Sequence, residues 1–242
     1  MKVLLLALLL VASGATAQDY EREKRWAAEV VPNLVVGEAV SILARREFLG
    51  IFTEVKGAKT AVLLVHGMGV HPDHGVTGIL RASLADLGHA TLSIQMPVQR
   101  AEAAADDYPA LFAEAAERIQ AGAAWLAGKG HARMALLSHS MGSRMANTYF
   151  ERAAKVPFAA WVSLGITSDY AKVGALRVPV LDVYAENDFP AVLAANPRRR
   201  AALAAVGSRQ VMIPNADHYY TGREKELAAA VAAFLDRQSS DN

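Results

Sequence analysis

The sequence predicts an α/β fold, a mostly parallel central sheet covered by helices on both faces. Three observations predict it. Continuous apolar runs of strand length alternate with segments whose apolar residues fall at helical spacing. The runs are apolar throughout, as strands buried on both faces require. Several of them end in turn-rich segments that carry chemically capable side chains, and open parallel sheets present their ligand sites at such strand ends.

The chain opens with Lys2, the apolar run 3–12 and then Ala15-Thr16-Ala17. This reads as a secretory signal peptide, residues 1–17, cleaved so that Gln18 starts the mature chain; the run is too short for a membrane anchor. With no cysteine, the chain forms no disulfide and lacks the residue a bacterial lipid anchor needs. The expectation is a soluble periplasmic or secreted protein made of one domain, 18–242. Residues 18–44 form a mixed, charged lead-in without a clear period.

Strands are expected over 47–55, 60–65 and 89–96, the last lying near 60–65. Between them, 76–87 places Ile79, Leu80, Leu84 and Leu87 at helical spacing. A longer helix is expected over 106–127, with acidic residues and Pro109 in its first turn. Further strands fall at 134–137, 158–165, 178–184 and 208–213. The last helix carries a capping box, Thr221-Gly222-Arg223-Glu224, and an inward stripe of Leu227, Val231, Phe234 and Leu235. Only a short loop separates the strand ending near Gly165 from the one starting at Val178, so no sizeable cap domain fits there.

At 242 residues, 53% hydrophobic and 20% charged, the chain can bury one substantial core. Its net charge of +1, spread over both signs, argues against a nucleic-acid partner, which would ask for a concentrated basic face.

Chemistry concentrates first at Ser138-His139-Ser140-Met141-Gly142, directly after Met134-Ala135-Leu136-Leu137. A serine hydroxyl is a poor nucleophile, so proteins that use one hold it on a sharp strand-to-helix turn facing a histidine base. The usual pattern is Gly-x-Ser-x-Gly; here Ser138 stands for the first glycine. Asp188 follows the apolar run 178–184, and His218 follows 208–213. Each separation leaves room for about one helix plus one strand, which brings the three side chains to neighbouring strand ends. A fourth element is His66-Gly67-Met68-Gly69, after the run 60–65, where backbone N–H groups can meet a developing oxyanion.

On these residues the chain resembles the α/β-hydrolase superfamily, from about Thr60 to the last helix. His66-Gly67-Met68-Gly69, His71-Pro72-Asp73, 91–97 and His139-Ser140-Met141-Gly142 further resemble a family of exported bacterial α/β-hydrolase-like proteins of unknown function. The resemblance implies Ser140, Asp188 and His218 as a catalytic triad, and backbone amides of Met68 and Met141 as the oxyanion site. It implies a serine hydrolase acting on a small-molecule ester or acyl substrate without a cofactor. The rival expectation is a non-catalytic protein of the same fold that binds a ligand or partner in the cell envelope.

Around this set, His66, Gly67, His71, Asp73, His139 and Tyr219 are candidates for touching the substrate. The types in His71-Pro72-Asp73-His74 ligate metals, but their spacing matches no zinc signature, so no metal is expected. Glu186 and Asp217 are rival acids to Asp188. Arg198-Arg199-Arg200 reads either as an attractor for an anionic group or as the solvated start of a helix, and Tyr220 either walls the pocket or packs.

Overall fold

The computed structural model describes residues 18–170 and 177–240. The expected signal peptide and residues 171–176 of the loop before Val178 lie outside the described residues. In chain order the elements are α1 (Tyr20–Val30), β1 (Glu38–Leu43), β2 (Glu47–Thr53), β3 (Ala61–Val65), α2 (Gly75–Asp86) and β4 (Ala90–Ile94). They continue as α3 (Phe112–Gly128), β5 (Met134–His139), α4 (Met141–Arg152), β6 (Phe158–Leu164), β7 (Val180–Asn187), α5 (Pro190–Ala202), β8 (Arg209–Asp217) and α6 (Glu224–Ser240).

Among the described residues, the eight strands form one sheet in the order β1-β2-β4-β3-β5-β6-β7-β8. The β1–β2 and β2–β4 pairs are antiparallel and the rest are parallel. Successive side chains of a strand face opposite sides, and β3 shows the result. Ala61, Leu63 and Val65 join a core with α3 and α4, while Val62 and Leu64 join a second core with α2 and α6. Every residue of β3, β4 and β5 is buried, which is why β3 and the first part of β5 are apolar without alternation; β4 alternates, and its buried Thr91 and Ser93 hydroxyls donate to the carbonyls of Arg81 and Pro72. The connection from Leu164 to Val180 is too short to hold a cap domain at these strand ends.

Several expectations need correction. Residues 18–44 hold α1 and β1, neither of which the apolar pattern reveals. The helix expected from 106 starts at Phe112; Ala105–Leu111 is a 3-10 turn around Pro109, whose ring lacks the N–H an α-helix would use. Ile79 and Leu87 are exposed, and α2 buries Val76, Leu80 and Leu84 instead. Strand β8 runs on to Asp217 through Pro214, which an edge strand tolerates. The capping box at Thr221 does not form: Thr221 N–H donates to Asp217 Oδ1, Glu224 Oε1 accepts from Gly222 N–H, and α6 starts at Glu224. No helix among the described residues is long and apolar enough to cross a membrane.

Neither reading of Arg198-Arg199-Arg200 holds for its middle member. Arg199 is fully buried against the equally buried Asp182 of β7, with Nε 3.0 Å from Oδ2. Its Nη1 donates to the carbonyls of Ile166 and Val192 at 3.2 and 3.0 Å, its Nη2 to Asn196 Oδ1. The second Asp182 partner is Gln210 of β8, at 2.7 Å. One guanidinium thus ties α5 to β7 and to the loop after β6. Arg198 pairs with Asp169 at the surface instead.

Two buried histidines, His66 and His139, mark the ends of β3 and β5. Burial holds both uncharged, lowering their pKa values from 6.5 to about 3 and about 4.

Replacing Arg199 by Ala leaves Asp182 buried without its countercharge, and should cost about 3–5 kcal/mol of stability in urea titrations; a loss under about 1 kcal/mol would refute the buried-pair account. The two histidines set a second expectation. Below pH 6.5 the unfolded chain takes up protons that the folded chain refuses until pH nears 4 for His139 and 3 for His66. Stability should therefore fall with falling pH in that window, by about 1.4 kcal/mol per unit for each histidine. Unfolding midpoints that stay level from pH 6.5 to 4.5 would contradict it.

Candidate active site

Ser140 is the one residue between β5 and α4, and it carries the whole change of direction. Its φ is 55° and ψ −117°, a left-handed conformation that a serine adopts only where its surroundings impose it. Two contacts impose it. Ser140 N–H donates to the Leu164 carbonyl of β6 at 2.8 Å, and the first turn of α4 lies hard against the end of β3. A Cβ on Gly142 would fall 2.3 Å from the His66 carbonyl oxygen, so only glycine fits there.

Ser138, in the place of the usual first glycine, points away from the cleft. Its Oγ accepts from Trp161 Nε1 at 2.8 Å and lies 3.0 Å from Ser143 Oγ. Ser143 Oγ in turn donates to the Leu164 carbonyl at 3.3 Å. The departure from the pattern therefore adds a buried hydroxyl chain behind the turn and leaves the turn itself intact.

His218 follows β8 directly and Asp188 follows β7, and the parallel pairing of those strands brings the two together. His218 Nε2 is 2.9 Å from Ser140 Oγ, and Nδ1 is 2.5 Å from Asp188 Oδ1. Asp188 Oδ2 also accepts from the Ala185 amide at 3.0 Å, and Oδ1 from Phe189 at 2.8 Å. Burial pushes the Asp188 carboxyl up, but these hydrogen bonds and the facing imidazole outweigh it and hold its pKa below the ordinary value. The carboxylate is thus ionised and aimed at Nδ1. Of the rival acids, Glu186 accepts from the Asn215 amide and Asp217 from the amides of Tyr219 and Thr221. Both fasten the loop that carries His218.

Gly67 faces Ser140, since a Cβ there would lie 3.4 Å from Ser140 Cβ. His66 fixes the peptide next to it. Its Nε2 accepts from the Met96 amide at 2.9 Å, which leaves the proton on Nδ1 to donate to the Gly67 carbonyl at 2.8 Å. A trans peptide sets N–H opposite C=O, so the Met68 amide points away from the His66 ring. Met141 opens α4, where a backbone N–H has no intrahelical partner.

A pocket of about 270 Å³ opens at Ser140, between Gly67, Met68, Val70, His139, His218 and Tyr219. Grooves of about 760 and 450 Å³ lie elsewhere, one along α3 and α4, one along α1 and β2. Neither holds a nucleophile beside a base, so the smaller pocket is the candidate site.

Of the candidates for substrate contact, Gly67, His139 and Tyr219 line this pocket, whereas His66, His71 and Asp73 do not. His66 serves the loop behind it. His71 packs against Trp26, with ring centroids 5.8 Å apart, and Asp73 receives Arg81 Nε at 2.7 Å. His139 is almost wholly buried, and its Nε2 donates to the His218 carbonyl at 3.0 Å, tying the two loops together. Tyr220 is buried, with its hydroxyl on the Val183 carbonyl. Sequence reasoning missed Phe189, whose ring stacks on His218 with centroids 4.0 Å apart, and also His74 and Thr77 in the wall. Phe189 was within reach, because it is the neighbour of the proposed acid. Among the described residues, no group of three or more His, Cys, Asp or Glu side chains is arranged to hold a metal.

No protein-family model matches the chain, and no curated protein matches it in sequence. Solved structures do match. A dienelactone hydrolase from Anabaena variabilis is 25% identical, with a TM-score of 0.70 over 82% of this chain and 96% of that one. A serine hydrolase without a lid from Xanthomonas campestris is 14% identical, with a TM-score of 0.66 over 84% and 95%. The Pyrococcus furiosus esterase Pf2001 is 14% identical, with a TM-score of 0.64 over 83% and 90%. In strand order, in the short connection after β6 and in these likenesses, the chain has the α/β-hydrolase fold.

Proposed function

We propose that the protein is a serine hydrolase that cleaves an ester or related acyl bond through an acyl-enzyme intermediate. The observation that carries this reading is the unbroken path from Ser140 Oγ through His218 to Asp188, at 2.9 and 2.5 Å. Neighbours described as a dienelactone hydrolase, a serine hydrolase and an esterase support hydrolysis in general.

In this mechanism Ser140 Oγ attacks the acyl carbonyl while His218 Nε2 takes its proton. Asp188 holds the imidazole with Nδ1–H toward itself and stabilises the positive charge that forms. The amides of Met68 and Met141 receive the developing oxyanion, worth about 10²–10³ in rate for each such donor. His218 then protonates the leaving group, and water, deprotonated by the same nitrogen, releases the acyl chain. Phe189, flat against the imidazole, keeps water off one face of it. The leader pattern of Lys2, the apolar run and Ala15-Thr16-Ala17 supports export before the enzyme acts.

The pocket is smaller than the range of about 300–1,000 Å³ usual for drug-sized ligands, and its rim is formed by the exposed Met68, Phe189 and Tyr219. A short acyl chain suits the closed part, and the remainder of the substrate lies across the apolar rim.

Fluorophosphonate labelling followed by peptide mapping should modify Ser140 alone, and Ser140→Ala should abolish both labelling and ester hydrolysis, a loss of at least about 10⁴-fold in kcat. A folded wild-type protein that neither labels nor hydrolyses would replace this reading with ligand binding. Among p-nitrophenyl esters, kcat/KM should peak at acetate to butyrate and fall by at least tenfold at palmitate; a rising series would show that the acyl chain lies outside the pocket.

A further inference from the structure

Helix α1 reaches the loop on which the proposed oxyanion site depends. From its first turn, Arg22 Nη2 donates to the Gly69 carbonyl and Nη1 to the Gln99 carbonyl, both at 3.0 Å. The helix is anchored independently of that residue. Glu23 pairs with the buried Arg118 of α3 at 2.9 Å, and the Asp19 amide donates to the Val98 carbonyl at 2.8 Å. Arg22 also lies over the ring of Trp26, 4.5 Å from its centroid, so its side chain is held from two directions.

The loop needs holding. Gly67 and Gly69 leave its backbone unrestricted by side chains, and Gly69 sits at φ +69°. Two of its peptide groups are held by hydrogen bonds: His66 takes the Gly67 carbonyl, and Arg22 takes the Gly69 carbonyl. The Tyr108 hydroxyl lies close to Gly69 as well, 3.6 Å from where a Cβ would stand. His66 comes from the loop's own base and Tyr108 from the turn before α3; Arg22 alone of the three comes from the lead-in helix.

We propose that Arg22 is a positioning residue for the oxyanion loop, so that the aim of the Met68 amide depends on the docking of α1. The inference rests on the serine-hydrolase reading. An arginine suits the place because one planar fork spans two carbonyls from different segments, the loop after β3 and the one after β4. Without it, the Gly69–Val70 peptide can rotate, and the Met68 amide, two peptide groups back, keeps only the hold of His66 on the Gly67 carbonyl to direct it toward the substrate oxygen.

The test compares the wild type with Arg22→Met, which keeps length and packing on Trp26 but donates nothing, and Arg22→Lys, which can reach one carbonyl. With p-nitrophenyl acetate, Arg22→Met should lower kcat about 10- to 100-fold with KM changed less than threefold. Fluorophosphonate labelling of Ser140 should slow in parallel, because phosphonylation also builds charge on an oxygen facing that loop. Arg22→Lys should recover part of both. A merely structural role would lower the melting temperature and leave the activity of the folded fraction unchanged, which would overturn the inference. Wild-type kcat and labelling rate in a folded Arg22→Met would overturn it as well, with the serine-hydrolase reading intact if Ser140→Ala remains dead. A wild type with no Ser140-dependent activity would remove both. Should Arg22→Met fail to fold, Arg22→Gln takes its place under the same readouts.

Discussion

The single-residue turn at Ser140 is the constraint on which the rest of the site depends. Strand β5 must hand over to α4 without a loop, and α4 must press on the end of β3 closely enough that Gly142 leaves no room for a methyl group. That approach puts the start of α4 beside the loop His66 to Gly69, and it turns Ser140 Oγ toward the tip of β8. A looser turn would separate the hydroxyl, the helix amides and the glycine loop, each of which is useful only within hydrogen-bond reach of the others. The backbone strain at Ser140 is held by ordinary forces behind it: the Leu164 carbonyl, the Ser138 and Ser143 hydroxyls and the indole of Trp161.

Buried ion pairs attach two of the peripheral helices, α1 and α5. Arg199 fastens α5 to β7, and Arg118 of α3 fastens α1 through Glu23 while also pairing with Glu114 of its own helix. In both cases an arginine supplies several donors to carboxylates and carbonyls in a place where water is excluded, so each hydrogen bond is satisfied and the geometry has little freedom. The cost of such burial is met by full pairing, and the return is a fixed orientation for the elements that border the site.

This explains what could be read from the sequence. Strands β3, β5 and β7 were legible because burial on both faces demands unbroken apolar runs. The order of Ser140, Asp188 and His218 was legible because each closes or follows such a run. Helix α1 was not: it buries Glu23 and Val30, so the hydrophobic period that reveals a helix is missing. Strand β1 lies at the sheet's edge with one apolar residue buried, which leaves no alternation to detect. The polar wall was misjudged for a related reason. His71 and Asp73 stand next to the glycine loop in sequence, yet they turn to Trp26 and Arg81, and it is His74 that faces the pocket. Chain proximity says where a loop is, while only the fold says which of its side chains look inward.

Strand β8 is the last of the sheet, and Pro214 sits within it. A proline offers no amide to a neighbour, and Asn215 beside it takes a left-handed φ of 53°, so the free side of β8 is a poor template for another strand. That matters because the same strand carries His218 at its tip. A chain recruited along this margin would drag on that histidine and loosen its hydrogen bond with Ser140. On the side that carries His218 the sheet therefore ends in a margin that offers little to a further strand.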